Sequence, residues 1–327
     1  MKNFFSKHMG IAVVLLMASF MQLDAQATMS DVLLIFKKGV EAQQQGLFDD
    51  AIKALNEAVE KCIEVGEDAD DVRIQAENIL PTLYFESANA LVKANRISEA
   101  TERYLQAEAA AKKASNESIL SKVKTNIPQL YNSLGNTAYK NKDLAKALEY
   151  YTKAVEYDSL FGKGYFGLGI IYKEQDKEDL FQATMLKAIR ICKINNDEKT
   201  IDRAVDVASK YFYNKALLSR NATKYEQSVL YFKTSLLFND TYEDALLGLA
   251  KANNELNRYD EAIEAVNKAL AVTRSDDAGK AKYYFELGRA LQGKKSNAEA
   301  CVAYAKAKYG EFLKSAEYQM VNILKCQ

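Results

Sequence analysis

Histidine and cysteine would signal catalysis or metal binding most directly, and this chain has few of either. Its only histidine is His8, and its cysteines are Cys62, Cys192, Cys301 and Cys326. The leader described below would remove His8, so the remaining chain could form no Ser-His-Asp triad, no Cys-His pair and no histidine-ligated zinc site. No two cysteines form a C-x-x-C pair. We therefore predict no catalytic residues, no metal and no cofactor.

The first 27 residues have the three-part pattern of a secretory signal peptide. Lys2 and Lys7 make a basic start, residues 9–21 are almost all apolar, and Ala25 and Ala27 place small residues before a cleavage position. A transmembrane anchor is the alternative, but a span needs roughly 20 apolar residues. We expect cleavage after Ala27 or Ala25 and an exported chain, periplasmic or extracellular, with no membrane span.

The composition indicates an all-helical protein without a charge-driven partner. The 327 residues include 44 basic and 44 acidic side chains, so no net charge favours nucleic acid as a partner. There are 2 prolines and 14 glycines. Few helix breakers, with much alanine, leucine, lysine and glutamate, are typical of α-helices.

Small residues recur through the chain in three parallel series with fixed offsets. The first series is Gly39, Ala88, Gly135, Gly169, Ala216, Ala250 and Gly288. The second, twelve residues later, is Ala51, Ala100, Ala147, Phe181, Ser228, Ala262 and Ala300, in which Phe181 stands where a small residue is expected. The third, seven further on, is Ala58, Ala107, Ala154, Ala188, Ser235, Ala269 and Ala307. Small residues allow helix backbones to approach closely, so the series predict a stack of similar helix pairs.

The spacing resembles that of the tetratricopeptide repeat (TPR), a 34-residue helix–turn–helix unit. The clearest unit contains Tyr131, Leu134, Gly135, Tyr151 and Ala154 in the order that the repeat requires. The tryptophan and the terminal proline typical of the family are absent. The resemblance implies a right-handed superhelical solenoid of about seven helix pairs. We place the repeats near 32–65, 81–114, 128–161, 162–195, 209–242, 243–276 and 281–314, with a capping helix at 315–325.

Several intervals between repeats exceed 34 residues by 13 to 15, about four helical turns. Such insertions lengthen a helix while keeping its buried face in phase. We therefore expect 72–80, 117–127 and 198–207 to extend existing helices by about four turns. Pro81 and Pro128 fall at the first position of a repeat, and we predict a kink or a short extra helix there.

The cysteines could pair in an oxidising compartment. Cys62 and Cys192 occupy the same position in two distant repeats, so they could not meet in a rigid solenoid. Cys301 and Cys326 could form a disulfide if the last two helices turn back near Leu313. Buried or unpaired thiols are the alternative that we favour.

The family resemblance implies that ligands lie on a concave groove lined by the first helix of each repeat. Side chains suited to binding recur at the positions that would face this groove. The candidates are Phe36, Phe85, Asn89, Asn132, Asn136, Tyr139, Lys163, Phe166, Lys173, Tyr213, Phe285 and Arg289. Rings and amides of this kind suit an extended peptide or a sugar chain. The alternative is that the rings pack against neighbouring helices.

We therefore hypothesise a non-catalytic exported scaffold that binds a protein or peptide in its groove, in envelope assembly or secretion. A glycan-binding module is the second hypothesis, favoured by the aromatic row and by export. An enzyme would need two acidic residues facing inward, and no such pair stands out. Fold alone does not fix function.

Overall fold

The computed structural model describes residues 27–326, and nearly all of them lie in helices joined by short turns. The described residues include no β-strand. The predicted leader lies outside them except for Ala27. None of the helices within 27–326 combines the length and the apolar character needed to span a bilayer.

The helices group into two compact units, and the boundary, between Val123 and Lys124, lies within one helix. The first unit contains α1 Met29–Gln44, α2 Phe48–Val65, a 3₁₀ turn Glu67–Ala69, α3 Asp70–Lys93 and α4 Ile97–Lys113. The helix α5, Glu117–Lys140, contains the boundary.

The second unit continues as alternating first and second helices of successive pairs. These are α6 Leu144–Tyr157, α7 Gly162–Glu174, α8 Glu178–Ile194, α9 Glu198–Asn221, α10 Tyr225–Phe238, α11 Glu243–Glu255, α12 Tyr259–Val272, α13 Asp277–Gly293 and α14 Asn297–Lys306. A 3₁₀ turn Gly310–Phe312, α15 Leu313–Tyr318 and a π-helical segment Gln319–Leu324 end the described chain. The predicted all-α repeat fold of consecutive helix pairs is confirmed. The repeat bounds and the single solenoid over 28–327 stay predictions.

The turns within the helix pairs share one backbone geometry. Asn95, Lys142, Asp176, Asn257 and Lys295 all have a φ between 53° and 64°. Next to each of them, a backbone N–H donates back to the carbonyl five residues earlier, as in Arg96 to Leu91 at 2.9 Å. This is the bonding of a Schellman motif, which satisfies carbonyls left free at a helix end. One turn design therefore ends the first helix in these pairs.

Small residues lie where helices approach most closely. A Cβ added to Gly135 would lie 2.6 Å from the ring of Tyr151, and one added to Gly167 would lie 2.5 Å from it. The ring is therefore held between two helices that have no side chain at these points. Ala147 and Ala154, members of the second and third series, are fully buried.

The lengthened helices are present, and the extra residues are divided between two helices. The helices α3, α5 and α9 each have 24 residues, whereas α7 and α11 have 13. That difference is about three turns. The remaining turn lies in the preceding second helices, because α2, α4 and α8 have 18, 17 and 17 residues and α6, α10 and α12 have 14.

Of the two alternatives predicted at the prolines, the short extra helix is wrong and the kink stays a prediction. The helix α3 runs through Pro81 and α5 runs through Pro128. An interior proline costs a hydrogen bond and clashes with the preceding turn, about 3 kcal/mol. Buried side chains lie on both sides of each proline, including Leu80 and Leu83 in α3 and Ile127 in α5. Packing of both halves offsets the local cost and keeps each helix in one piece.

At the C-terminal end, Cys301 and Cys326 form a disulfide with their Cα atoms 5.8 Å apart. The favoured alternative of unpaired thiols is therefore wrong for this pair. The chain turns back before Leu313, which brings the π-helical segment against α14. Cys62 and Cys192 are free and buried.

Candidate functional site

A cavity of about 540 Å³ lies among the first helices α5, α7 and α9 of the second unit. We call it the first-helix cavity. Its lining includes five of the twelve residues predicted from the sequence, which are Asn132, Asn136, Tyr139, Lys163 and Phe166. Three helices that are separate in sequence thus contribute to one site.

The α5 wall of the first-helix cavity presents two amides one turn apart, Asn132 and Asn136. The hydroxyl of Tyr151 donates a hydrogen bond to Oδ1 of Asn136 at 2.9 Å. Burial raises the pKa of Tyr151 to about 12, so its hydroxyl keeps its proton at neutral pH. This bond fixes the amide oxygen of Asn136, which is exposed, and leaves its NH₂ group available as a donor.

The α7 wall is built around the buried ring of Phe166. The guanidinium carbon of Arg203, on α9, lies 4.6 Å from the centre of this ring. A cation over an aromatic face at this distance is attracted by the ring quadrupole. Among the described residues, Arg203 has no ion-pair partner. The ring therefore positions a cation whose hydrogen-bonding capacity is unused.

The α9 wall carries charged residues that the sequence reasoning missed. Lys199, Arg203 and Asp206 all line the cavity. Lys210 binds the carboxylate of Asp206 at 2.5 Å, while Lys199 forms no ion pair within the described part of the chain. Positions 199, 203 and 206 have the spacing of one helix face, so the sequence contained a signal for them. They were missed because they precede the repeat unit placed at 209–242.

Lys163 closes the same cavity near the start of α9. Its Nζ lies 3.7 Å from Oδ2 of Asp197, and Asp197 accepts from the backbone N–H of Thr200 at 3.2 Å. Burial alone would raise the pKa of Asp197, but the hydrogen bonds from Thr200 and the charge of Lys163 lower it below its usual value. Asp197 is therefore a charged N-cap for α9.

The other seven predicted residues do not line this cavity. Phe36, Phe85 and Asn89 belong to the first unit, where Phe36 packs in the core beside Leu55 and Leu80. The ring of Phe85 meets Tyr104 edge-on at 5.6 Å. Phe36, Phe85 and Asn89 are therefore part of the first unit and not of the first-helix cavity.

Within the second unit, the remaining four are engaged by their neighbours. Lys173 lies 3.1 Å from Glu174, and the ring of Tyr213 lies 5.1 Å from that of Tyr242.

Phe285 and Arg289 also have neighbours of their own. The ring of Phe285 is 5.4 Å from that of Phe312. Arg289 binds Glu255 at 2.8 Å and the buried Glu286 at 3.1 Å. The alternative of packing against neighbouring helices thus describes Phe85, Tyr213 and Phe285.

The thiols of Cys62 and Cys192 do not line the first-helix cavity. Cys62 belongs to a buried cluster with Val32 and Val72, and Cys192 packs against Gly162. Burial raises the pKa of both, which keeps them as thiols near neutral pH. Within the described residues, no cluster of three or more histidine, cysteine or acidic side chains could hold a metal ion.

Comparisons with known proteins identify solved structures of repeat type but no curated sequence. The TPR2AB domain in complex with pHSP90, from yeast Sti1, has 17% identity and a TM-score of 0.35, covering 90% of this chain and 97% of that one. A tetratricopeptide repeat protein from Parabacteroides merdae has 16% identity and a TM-score of 0.28, covering 88% and 98%. YrrB, described as a TPR protein with an unusual peptide-binding site, has 19% identity and a TM-score of 0.31, covering 60% and 88%. The comparison with curated proteins found no match.

Two family models, both described as tetratricopeptide repeat, match residues 128–159 and 213–279. Both matched stretches lie in the second unit. The first includes Asn132, Asn136 and Tyr151, which form the α5 wall and its supporting hydroxyl.

Proposed function

Since the chain is a tetratricopeptide repeat protein, we propose that it is a non-catalytic scaffold whose first-helix cavity binds an extended segment of a partner protein. One observation carries this proposal. Two amides, a buried ring and an unpaired guanidinium, contributed by three first helices, line one cavity of about 540 Å³. Concave sites of this size with a few convergent polar groups are the usual form of a binding site.

Each wall has a defined part in this binding. The amides of Asn132 and Asn136 hydrogen-bond the peptide backbone, because an amide offers both a donor and an acceptor. Arg203 and Lys199 bind an acidic side chain of the peptide. The ring of Phe166 keeps Arg203 extended across the cavity, which reduces the entropy lost on binding.

We propose that the protein has no catalytic role and acts after export. The signal-peptide pattern of the first 27 residues supports a periplasmic or extracellular location. The disulfide between Cys301 and Cys326 agrees with an oxidising compartment. We propose a role in envelope assembly or secretion, where scaffolds bring exported partners together.

A glycan is the less favoured ligand. Sugar recognition needs open ring faces, and Phe166 lies beneath the guanidinium of Arg203. Tyr213 and Phe285 contact Tyr242 and Phe312. The exposed cations and amides of the first-helix cavity fit an acidic peptide better.

The test is affinity purification after mild crosslinking of the tagged protein in its own cells, followed by binding measurements with peptides from the recovered partner. The triple variant Asn132→Ala, Asn136→Ala, Arg203→Ala should lose the partner and bind its peptide at least tenfold more weakly, by loss of roughly 1.5–3 kcal/mol per charged hydrogen bond. The matched control is Asn214→Ala, an exposed change on α9.

Partner recovery that is equal for the wild type and the triple variant would refute the first-helix cavity as the site. Recovery of polysaccharide in place of protein, released by free sugar, would favour the glycan alternative. Consumption of the ligand over time would contradict the non-catalytic role. Helix content and the melting midpoint, measured by circular dichroism, must match between the variants.

A further inference from the structure

Within the second unit, the first helix of four pairs carries an aromatic residue at the same repeat position. These residues are Tyr131, Tyr165, Phe212 and Tyr284. Each ring packs on the second helix of its own pair. Tyr131 lies 6.1 Å from Tyr157, and Phe212 lies 6.0 Å from Phe238. The pair α11–α12 has Leu246 at this position.

A lysine covers the ring in three of these four pairs. The Nζ atoms of Lys153, Lys187 and Lys306 lie 5.8, 4.1 and 5.2 Å from the centres of the rings of Tyr131, Tyr165 and Tyr284. The corresponding lysine is also present in α12, as Lys268. Its own pair supplies no ring at this position. Lys268 binds Glu264 at 2.7 Å, as Lys153 binds Glu149 at 2.6 Å while it also lies over the ring of Tyr131.

A groove of about 640 Å³ lies at this place, between α10 and α12. We call it the second-helix groove. Leu246 and Leu249 form its floor, and Ala265 and Val272 of α12 line it at the positions where α10 has Tyr231 and Phe238. Small aliphatic side chains thus replace three rings.

The mouth and floor of this groove carry features that favour a ligand. Leu237 is 58% exposed at its edge. The Nδ2 atom of Asn253, a residue only 1% exposed, lines the groove and has no hydrogen-bond partner among the described residues. A buried amide donor without a partner costs about 1–3 kcal/mol, and an oxygen acceptor of a bound chain would relieve that cost.

Charge at the groove favours a basic partner. Its lining contains Asp240, Glu261 and Glu264 against Lys233 and Lys268. Glu264 is bound by Lys268, and the nearby charge of Lys233 also lowers its pKa. The exposed carboxylates of Asp240, beyond the end of α10, and Glu261, on α12, form no ion pair within residues 27–326.

We propose that the second-helix groove binds a partner peptide that inserts an aromatic side chain next to a basic residue. The incoming ring occupies the place that Tyr131, Tyr165 and Tyr284 fill in their own pairs, beside Lys268. Asp240 and Glu261 bind the flanking basic side chains, and Asn253 donates to a peptide oxygen. This site is separate from the first-helix cavity and adds a second docking point.

The absence of tryptophan from the chain allows a direct test. The probe is the peptide Ac-Gly-Lys-Trp-Lys-Gly-NH₂, whose indole is then the only tryptophan present. Titration with the leaderless protein should shift the indole emission to the blue in a saturable way. Leu246→Phe, which fills the groove, and Leu237→Asn, which changes only its exposed edge and adds no charge, should each weaken binding by roughly tenfold or more. The change Arg203→Ala should leave the titration unchanged.

Competition distinguishes the ring from the charges. A Lys-Tyr-Lys peptide with the same ends should displace the probe, whereas Lys-Ala-Lys should not, and a Glu-Trp-Glu probe should bind more weakly. No saturable shift with the wild type would overturn the proposal. So would equal binding by the wild type and the Leu237→Asn variant, or equal displacement by the alanine peptide. Leu237→Asn keeps the test valid if Leu246→Phe disturbs folding.

Discussion

The pairs α9–α10 and α11–α12 follow each other in the second unit but fill their interiors differently. In α9–α10, Phe212 is 2% exposed and stacks on Phe238 with 8° between the ring planes. In α11–α12, Leu246 occupies the same position and a groove of about 640 Å³ lies beside it. Helix placement is therefore set by the repeat, while single side chains decide whether an interior is closed or open.

The groove does not result from loose packing of α11. A Cβ added to Gly248 would lie 2.3 Å from the ring of Phe232 on α10. The helix is thus in tight contact with α10 on one face and open to the groove on another. Cores resist such openings because a cavity forfeits dispersion contacts. The second-helix groove, open beside this tight contact, is therefore a candidate binding site.

The comparison predicts that Phe212→Ala has the largest effect on stability. The ring also lies 5.7 Å from Phe181 and 6.3 Å from Tyr231, so its loss leaves a cavity inside an aromatic cluster. The free energy of unfolding should fall by roughly 3–5 kcal/mol, measured by urea unfolding followed by circular dichroism. Leu218→Ala, at a residue 67% exposed on the same helix, is the control. A loss no greater than that of the control would show that the cluster does not support α9–α10.

The helix pairs of the fold could be predicted because the spacing of small residues and turns indicates them directly. Small residues at fixed offsets predict where helices touch, and polar turns such as that at 175–177 predict where the first helix of a pair ends. The effect of Pro81 and Pro128 could not be read locally, because long-range packing on both sides of each proline keeps those helices continuous.

The site was only partly predictable, for a related reason. Counting repeat positions gives the helix face of a residue but not the side chain that covers it. Phe85 and Phe285 were predicted to face a ligand; their rings contact Tyr104 and Phe312, and their part in binding stays a prediction. Lys199 and Arg203 were missed because they lie in an inserted stretch outside the 34-residue units.

A change at Gly248 should have the next largest effect, since it tests the closed face of α11. Gly248→Ala forces a methyl group against Phe232, and overpacking of this kind costs about 1–3 kcal/mol. The matched control is Asn214→Ala, at the same repeat position on α9 but exposed. Unfolding midpoints measured side by side should fall for the glycine variant alone. Equal midpoints would mean that α11 can move away from α10 without cost, and the open groove would then reflect loose packing.

Filling the groove should have the smallest effect, and of opposite sign. Leu246→Phe restores a ring to the place where the other four pairs of the second unit have one, and cavity filling commonly adds about 0.5–2 kcal/mol. The melting midpoint should therefore rise, whereas Leu237→Phe at the exposed edge should leave it within error. Leu246→Phe should also lose binding of the tryptophan peptide, because the added ring and the indole of the peptide would occupy the same space. A protein that gains stability and still binds the peptide would place the ligand elsewhere. A protein that loses stability would show that the groove is shaped for something other than a ring attached to α11.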